Sequence, residues 1–97
     1  MFVILVYDIS NSPEKEKKNY YKICKTIEQY LHRVQFSVFE GEIQPAELLG
    51  LKKILSRSVN KKHDSIVLYE FKSRLFTQRT EVGKKSISNL FTGAEID

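Results

Sequence analysis

The stretch Phe2-Val3-Ile4-Leu5-Val6-Tyr7-Asp8-Ile9 restricts the fold more than any other part of the chain. Apolar and aromatic residues run from Phe2 to Tyr7 without a polar interruption, and a carboxylate follows. A run this rich in β-branched residues reads as a strand covered on both faces, because polar alternation disappears when neither face meets water. Ser10, Asn11, Ser12 and Pro13 close it too early for a helix or a bilayer span. Asp8 is therefore expected where a central strand leaves the core and reaches solvent. Strand ends hold side chains more firmly than loops do, which makes Asp8 a candidate functional carboxylate. An Asp-turn with Ser10 or Asn11 is the alternative.

Ser12-Pro13-Glu14 carries a helix start: Ser12 as cap, Pro13 at the first helical position, Glu14 complementing the dipole. Tyr20, Ile23, Cys24, Ile27 and Leu31 follow at helical spacing and define a buried face. Lys15, Lys18, Lys22 and Lys25 fall opposite, as a solvated surface first and as a phosphate-tracking face in the functional alternative. Cys24 lies on the apolar side and reads as core, not as a nucleophile. In Val34 to Ile43 the alternation breaks at Val38-Phe39, which predicts two short antiparallel strands joined by a turn or bulge. Pro45 opens a second helix with Leu48, Leu51, Leu55 and Val59 on its core face; Gly50 inside it is unfavourable. Asn60 to Asp64 is a polar turn in which the neighbours His63 and Asp64 read as a solvated pair, and His32 beside Arg33 reads as solvated too. Ser65 to Phe71 is a second strongly apolar strand.

Strand, helix, two strands, helix, strand is the order of an α+β, ferredoxin-like βαββαβ sheet with both helices on one face. The right-handed crossover rule favours the two long apolar strands as central neighbours. Phe76 to Val82 is expected to add a C-terminal strand ending at Gly83, so the ferredoxin-like domain is placed at residues 1–83. Residues 84–97 keep Ile87, Leu90, Phe91 and Ile96, more apolar character than a free tail needs, and are expected to pack on a partner. A chain of 97 residues has room for one small core and gains stability by association, and a sheet with one bare apolar face implies a dimer. The net charge of +4 permits a polyanionic partner. Cys24 stands alone, which excludes an internal disulfide and points to a reducing, cytoplasmic setting without membrane insertion.

Two segments together carry a resemblance. Val6-Tyr7-Asp8-Ile9-Ser10, followed by Arg33-Val34-Gln35-Phe36-Ser37-Val38-Phe39-Glu40-Gly41-Glu42, resembles the small CRISPR-associated endoribonucleases, the smaller of the two core proteins of spacer acquisition. Motif order, length, the Pro45 helix and the Asp64-Ser65 strand entry extend it over most of the chain. The resemblance implies a homodimer, partnership with an integrase, and nucleic acid as substrate. It also implies Mg²⁺ as cofactor, with Asp8 as the metal-binding aspartate from each subunit. Tyr7, Arg33, Ser37 and Phe39 match or lie among positions tied to activity, and Arg33 joins Lys15, Lys18, Lys22 and Lys25 as a nucleic-acid-binding candidate. Thr80-Glu81-Val82-Gly83 resembles the family's extra strand, which packs on the partner subunit. Where family members carry arginines early in the first helix, this chain has Lys15, Lys17 and Lys18. Lysine lacks the bidentate fork for phosphate, so those arginine roles are not transferred.

The functional reading is an adaptation protein resembling Mg²⁺-dependent endoribonucleases that cut single-stranded RNA or duplex DNA. The alternatives are a non-catalytic DNA-binding scaffold bridging integrase dimers, and a toxin-type ribonuclease on the same fold. A small regulatory domain ranks last, because no glycine-rich phosphate loop is visible.

Overall fold

The computed structural model describes the backbone of residues 1–9, 14–84 and 94–96, and the side chains of residues 1–8 and 19–84. The elements run β1 (Phe2–Ile9), α1 (Glu14–Glu28), β2 (His32–Gln35), β3 (Val38–Glu42), α2 (Pro45–Ser58) and β4 (Asp64–Phe71). A short 3₁₀ turn (Arg74–Phe76), β5 (Thr80–Val82) and β6 (Ala94–Ile96) follow. The Ser12 cap and Pro13 lie outside the described residues.

The main sheet has the order β2-β3-β1-β4 with every neighbouring pair antiparallel, the ferredoxin-like topology expected from the element order. β1 and β4 are neighbours along eight register positions, from Phe2↔Phe71 to Ile9↔Asp64. The expectation that both are central needs correcting: β1 and β3 occupy the centre and β4 takes an edge. The hairpin β3 is inserted beside β1, so the second crossover delivers β4 to the free flank of β1. β4 accordingly alternates in burial rather than being covered on both sides.

Strand parity divides the sheet into two faces. Val3, Leu5 and Tyr7 point towards the helices and are at most 1% exposed. They pack with Phe39 of β3, with Tyr20, Ile23, Cys24 and Ile27 of α1, and with Leu48, Leu51 and Leu55 of α2. The helical faces read from the sequence are thus the faces that pack. Burial of Cys24 pushes its thiol up from its ordinary value, consistent with a core residue. On the other face Ile4 and Val6 are half-buried, while Val67 and Tyr69 of β4 are exposed.

The C-terminal strand differs from its expected form. The segment expected to begin at Phe76 first makes the 3₁₀ turn, with the Ser73 hydroxyl accepting from the Leu75 N–H, and only Thr80–Val82 is extended. β5 pairs in parallel with β6, in a separate two-stranded sheet. Arg79, just before β5, ties this segment to the main sheet through an ion pair with Glu40 of β3, and also pairs with Glu81 of β5. Glu40 is 5% exposed, and its burial raises the carboxyl above its usual range against the opposing pull of Arg79. A cavity of about 600 Å³ lies between the two, bordered by Ile4, Val38 and Glu40 on one side and by Arg79 and Val82 on the other.

Candidate functional site

Three described segments meet at the C-terminal end of β1. The β4 entry pairs with it through Asp8↔Ser65 and Ile9↔Asp64. The β2–β3 turn joins it where the Tyr7 N–H donates to the Ser37 carbonyl at 2.8 Å. α1 reaches it through Tyr20, whose ring lies 5.1 Å from that of Tyr7, centroid to centroid. Asp8 is exposed and sits one residue before the end of β1, on the face away from the helices. The strand fixes its backbone, and its carboxylate is open to solvent.

Tyr7 and Asp8 have opposite parity, and their surroundings differ accordingly. Tyr7 is 1% exposed and its hydroxyl donates to Asp64 Oδ2 at 3.1 Å. Burial first, then the charge and hydrogen bond of Asp64, push its phenol far above the ordinary tyrosine value. The phenol is thus held in its protonated form as a donor to Asp64, which ties the end of β1 to the start of β4. Asp64 also accepts from the Asn60 N–H at 3.2 Å. The expectation of a solvated His63–Asp64 pair therefore fails for Asp64: its carboxylate turns inward to Tyr7, and its buried Oδ1 has no hydrogen-bond partner among the described residues.

The β2–β3 turn is built to be rigid. The Tyr20 hydroxyl donates to the Phe36 carbonyl at 3.1 Å and lies 3.3 Å from Ser37 Oγ. A register shift between Arg33 and Gln35 changes the parity of the following side chains. Phe39 ends in the core, fully buried, and Phe36 stands out at 66% exposed. Arg33 pairs with Glu28 at 3.2 Å and sets its guanidinium over both rings, 5.8 Å from the Phe36 centroid and 5.2 Å from that of Phe39.

The expected site residues thus separate into groups. The Ser37 backbone joins β1 at Tyr7, but its hydroxyl lies beside the Tyr20 hydroxyl, while Asp8 projects from the face away from the helices. Tyr7 and Phe39 lie beneath them in the core. Arg33 stands on the helix side of the turn, held by Glu28. Lys22 and Lys25 are exposed on α1; Lys15 and Lys18 fall in its first half, and their side chains lie outside the described residues. Asp64 and Phe36 are the residues that motif reading passes over. Asp64 meets Tyr7 across 57 positions of sequence, which no local pattern signals. Phe36 lies within the hairpin motif and is the presented ring because it falls in the turn, whereas Phe39 sits on β3 opposite Leu5 and is buried.

Among the described residues no three His, Cys, Asp or Glu side chains form a group able to hold a metal ion. Asp8 does suit Mg²⁺, a hard cation that keeps much of its water and takes one or two carboxylates with phosphate oxygens. It is an oxygen donor, exposed, and carried on a fixed strand. Asp64 is committed to Tyr7 and Asn60.

Residues 1–79 match the family described as CRISPR associated protein Cas2. The chain belongs to the Cas2 family. The Cas2 matches include proteins named CRISPR-associated endoribonuclease Cas2 from Fusobacterium nucleatum and Thermococcus kodakarensis. The first is 34% identical over 83 residues, covering 86% of this chain and 77% of the relative. The second is 36% identical over 90 residues, covering 93% of this chain and 99% of the relative. The crystal structure of Streptococcus pyogenes Cas2 at pH 6.5 superposes with a TM-score of 0.67 at 34% identity, covering 73% of this chain and 86% of that one. A second Cas2 crystal structure gives 0.71 at 32% identity and covers 95% of both chains. These Cas2 structures share the ferredoxin-like fold, and the family match spans β1, the β2–β3 hairpin and β4. No helix among the described residues is long and apolar enough to cross a membrane.

Proposed function

We propose that this Cas2 chain acts as a homodimer that binds and cuts nucleic acid at the end of β1, and that it works with an integrase in acquiring spacers. The observation that carries the cleavage reading is Asp8: an exposed carboxylate on a fixed strand end, inside the segment shared with relatives named endoribonucleases. The dimer is supported by Val67 and Tyr69, which are 44% and 54% exposed on the sheet face away from the helices. One carboxylate per chain is few for an ion, and twofold symmetry would bring a second.

Asp8 would hold Mg²⁺, which when bound neutralises phosphoryl charge and activates water. The protein's own groups do the rest. Tyr7 and Asp64 lock the ends of β1 and β4 together so that Asp8 keeps its position. Ser37 anchors the turn to β1 through its carbonyl and to Tyr20 through its hydroxyl, and Phe39 supports the hairpin from the core. Arg33 supplies positive charge next to the turn, where a phosphate would compete with Glu28. Lys22 and Lys25, with Lys15 and Lys18 earlier in α1, would track phosphates without reading sequence. The exposed lysines and the net charge of +4 favour a second reading, a scaffold that holds duplex without cutting it.

Labelled single-stranded RNA and duplex DNA incubated with wild type and Asp8→Ala, each with Mg²⁺ and with chelator, separate these readings once both proteins are shown to be dimers. Cleavage that needs both Mg²⁺ and Asp8 is the expected result and identifies the substrate. Equal cleavage by the two proteins refutes the role of Asp8. No cleavage by either, with salt-sensitive duplex binding intact, establishes the scaffold.

A further inference from the structure

Phe36 is an apolar side chain that the fold presents instead of hiding. At 66% exposed it lies at the tip of a turn whose backbone is fixed on both sides: its own carbonyl accepts from the Tyr20 hydroxyl, and the next carbonyl accepts from the Tyr7 N–H. Its exposure is therefore not the result of a slack loop. The ring stacks on Tyr20 at 5.8 Å and 26°, and the Arg33 guanidinium lies 5.8 Å from its centroid. Tyr21, itself 59% exposed, stands edge-on to Tyr20 at 5.7 Å. An aromatic ring backed by a second ring and a cation, with most of its surface still in water, has the make-up of a base-stacking platform. The turn is tied through its backbone to Tyr7, so the ring is held at the same end of β1 as Asp8.

We infer that Phe36 receives an unpaired nucleobase of a single-stranded nucleic acid bound at the end of β1 that carries Asp8. This rests on the nuclease reading above and adds to it a preference for unpaired bases over blunt duplex. Phe36 acts by binding the base; it takes no part in the chemistry. The basic character of the chain and the exposed Lys22 and Lys25 supply the phosphate attraction that stacking alone lacks.

The chain contains no tryptophan, so Phe36→Trp creates a single fluorescent reporter at the platform. The dimer of this variant is titrated, with chelator present to prevent cleavage, using a single-stranded RNA, the same length of abasic backbone, and a blunt RNA duplex. Binding is followed separately by the anisotropy of a label on the nucleic acid. The expected result is quenching of the introduced indole by the base-bearing strand, with little quenching by the abasic strand or the blunt duplex at matched occupancy. Phe36→Ala and Phe36→Leu, each checked by circular dichroism, should weaken binding of the base-bearing strand by about tenfold and leave abasic binding unchanged. Binding without quenching overturns the proposal, as does equal quenching by the blunt duplex. Shielding of the introduced indole from acrylamide in the free dimer also overturns it, since the ring would then be an interface residue. If wild type binds none of the three probes, the platform falls together with the nuclease reading. If Asp8→Ala leaves cleavage intact while base-dependent quenching persists, the role of Asp8 falls and the platform stands.

Discussion

Removing one oxygen atom tests whether the site rests on a clamp beneath it. Tyr7→Phe keeps a ring that is 1% exposed and packed on Tyr20, and deletes the hydroxyl that donates to Asp64 at 3.1 Å. Hydrogen bonds to charged groups contribute about 1.5–3 kcal/mol to stability, and short ones lie at the upper end. The length observed here puts this bond low in that range, and the Asn60 N–H still serves the same oxygen, so a loss of about 1–2 kcal/mol is expected. In a domain of this size each kcal/mol lowers the melting temperature by about 4–8 °C. Thermal and urea unfolding at equal protein concentration, which keeps any dimer contribution fixed, would measure it. Below the melting range of the variant, cleavage per folded protein should stay within about threefold of wild type, because positioned proton donors contribute about a hundredfold or more and Tyr7 is not one. A change in stability under about 0.3 kcal/mol would refute the clamp, since that is smaller than any buried hydrogen bond of this kind. A hundredfold loss of cleavage with stability intact would refute the structural assignment and put the phenol into the chemistry.

Three further outcomes follow from the packing. Burial and Asp64 raise the Tyr7 phenol above its ordinary value, so the folded state disfavours the phenolate. The stability this represents is present below the unfolded value of about 10 and is lost as pH rises beyond it, a loss that should be reduced in Tyr7→Phe when unfolding is followed from neutral to alkaline pH. Gly50 lies exposed inside α2, and a methyl group there meets nothing within 4 Å, so Gly50→Ala should stabilise by about 0.5–1 kcal/mol in urea unfolding. Arg79→Ala removes the cation beside Glu40, which is 5% exposed, and should cost about 3–5 kcal/mol, with Glu40→Gln in the same chain recovering much of it.

What can be read in the chain and what cannot divides along local and distant causes. Tyr20, Ile23, Cys24 and Ile27 announce their face by spacing alone, and all four are buried in α1. The order of elements is enough for a ferredoxin-like sheet with β1 and β4 as neighbours. Asp8 is legible because the apolar run before it is long and ends sharply, and it is found exposed near the end of β1. The edge position of β4 is not legible, because Val67 and Tyr69 are as apolar as a buried strand would be while remaining exposed. Asp64 misleads because its partner lies across the sheet rather than beside it in sequence. Phe36 and Phe39 are both apolar residues of one motif, and the place of the turn, which the sequence does not fix to the residue, leaves Phe36 exposed while Phe39 enters the core opposite Leu5.

The adjacency of Tyr7 and Asp8 has a consequence for how errors in folding are exposed. Successive residues of a strand face opposite ways, so slippage of β1 against β4 by one position would exchange the two. A carboxylate would then enter the helix-side interior in place of the phenol, and the phenol would occupy the solvent face. Such a misaligned chain would lose the clamp to Asp64 and the displayed carboxylate in one step. Correct alignment and a competent site are therefore inspected together: a protomer stable enough to persist is one that already has Asp8 on the outside.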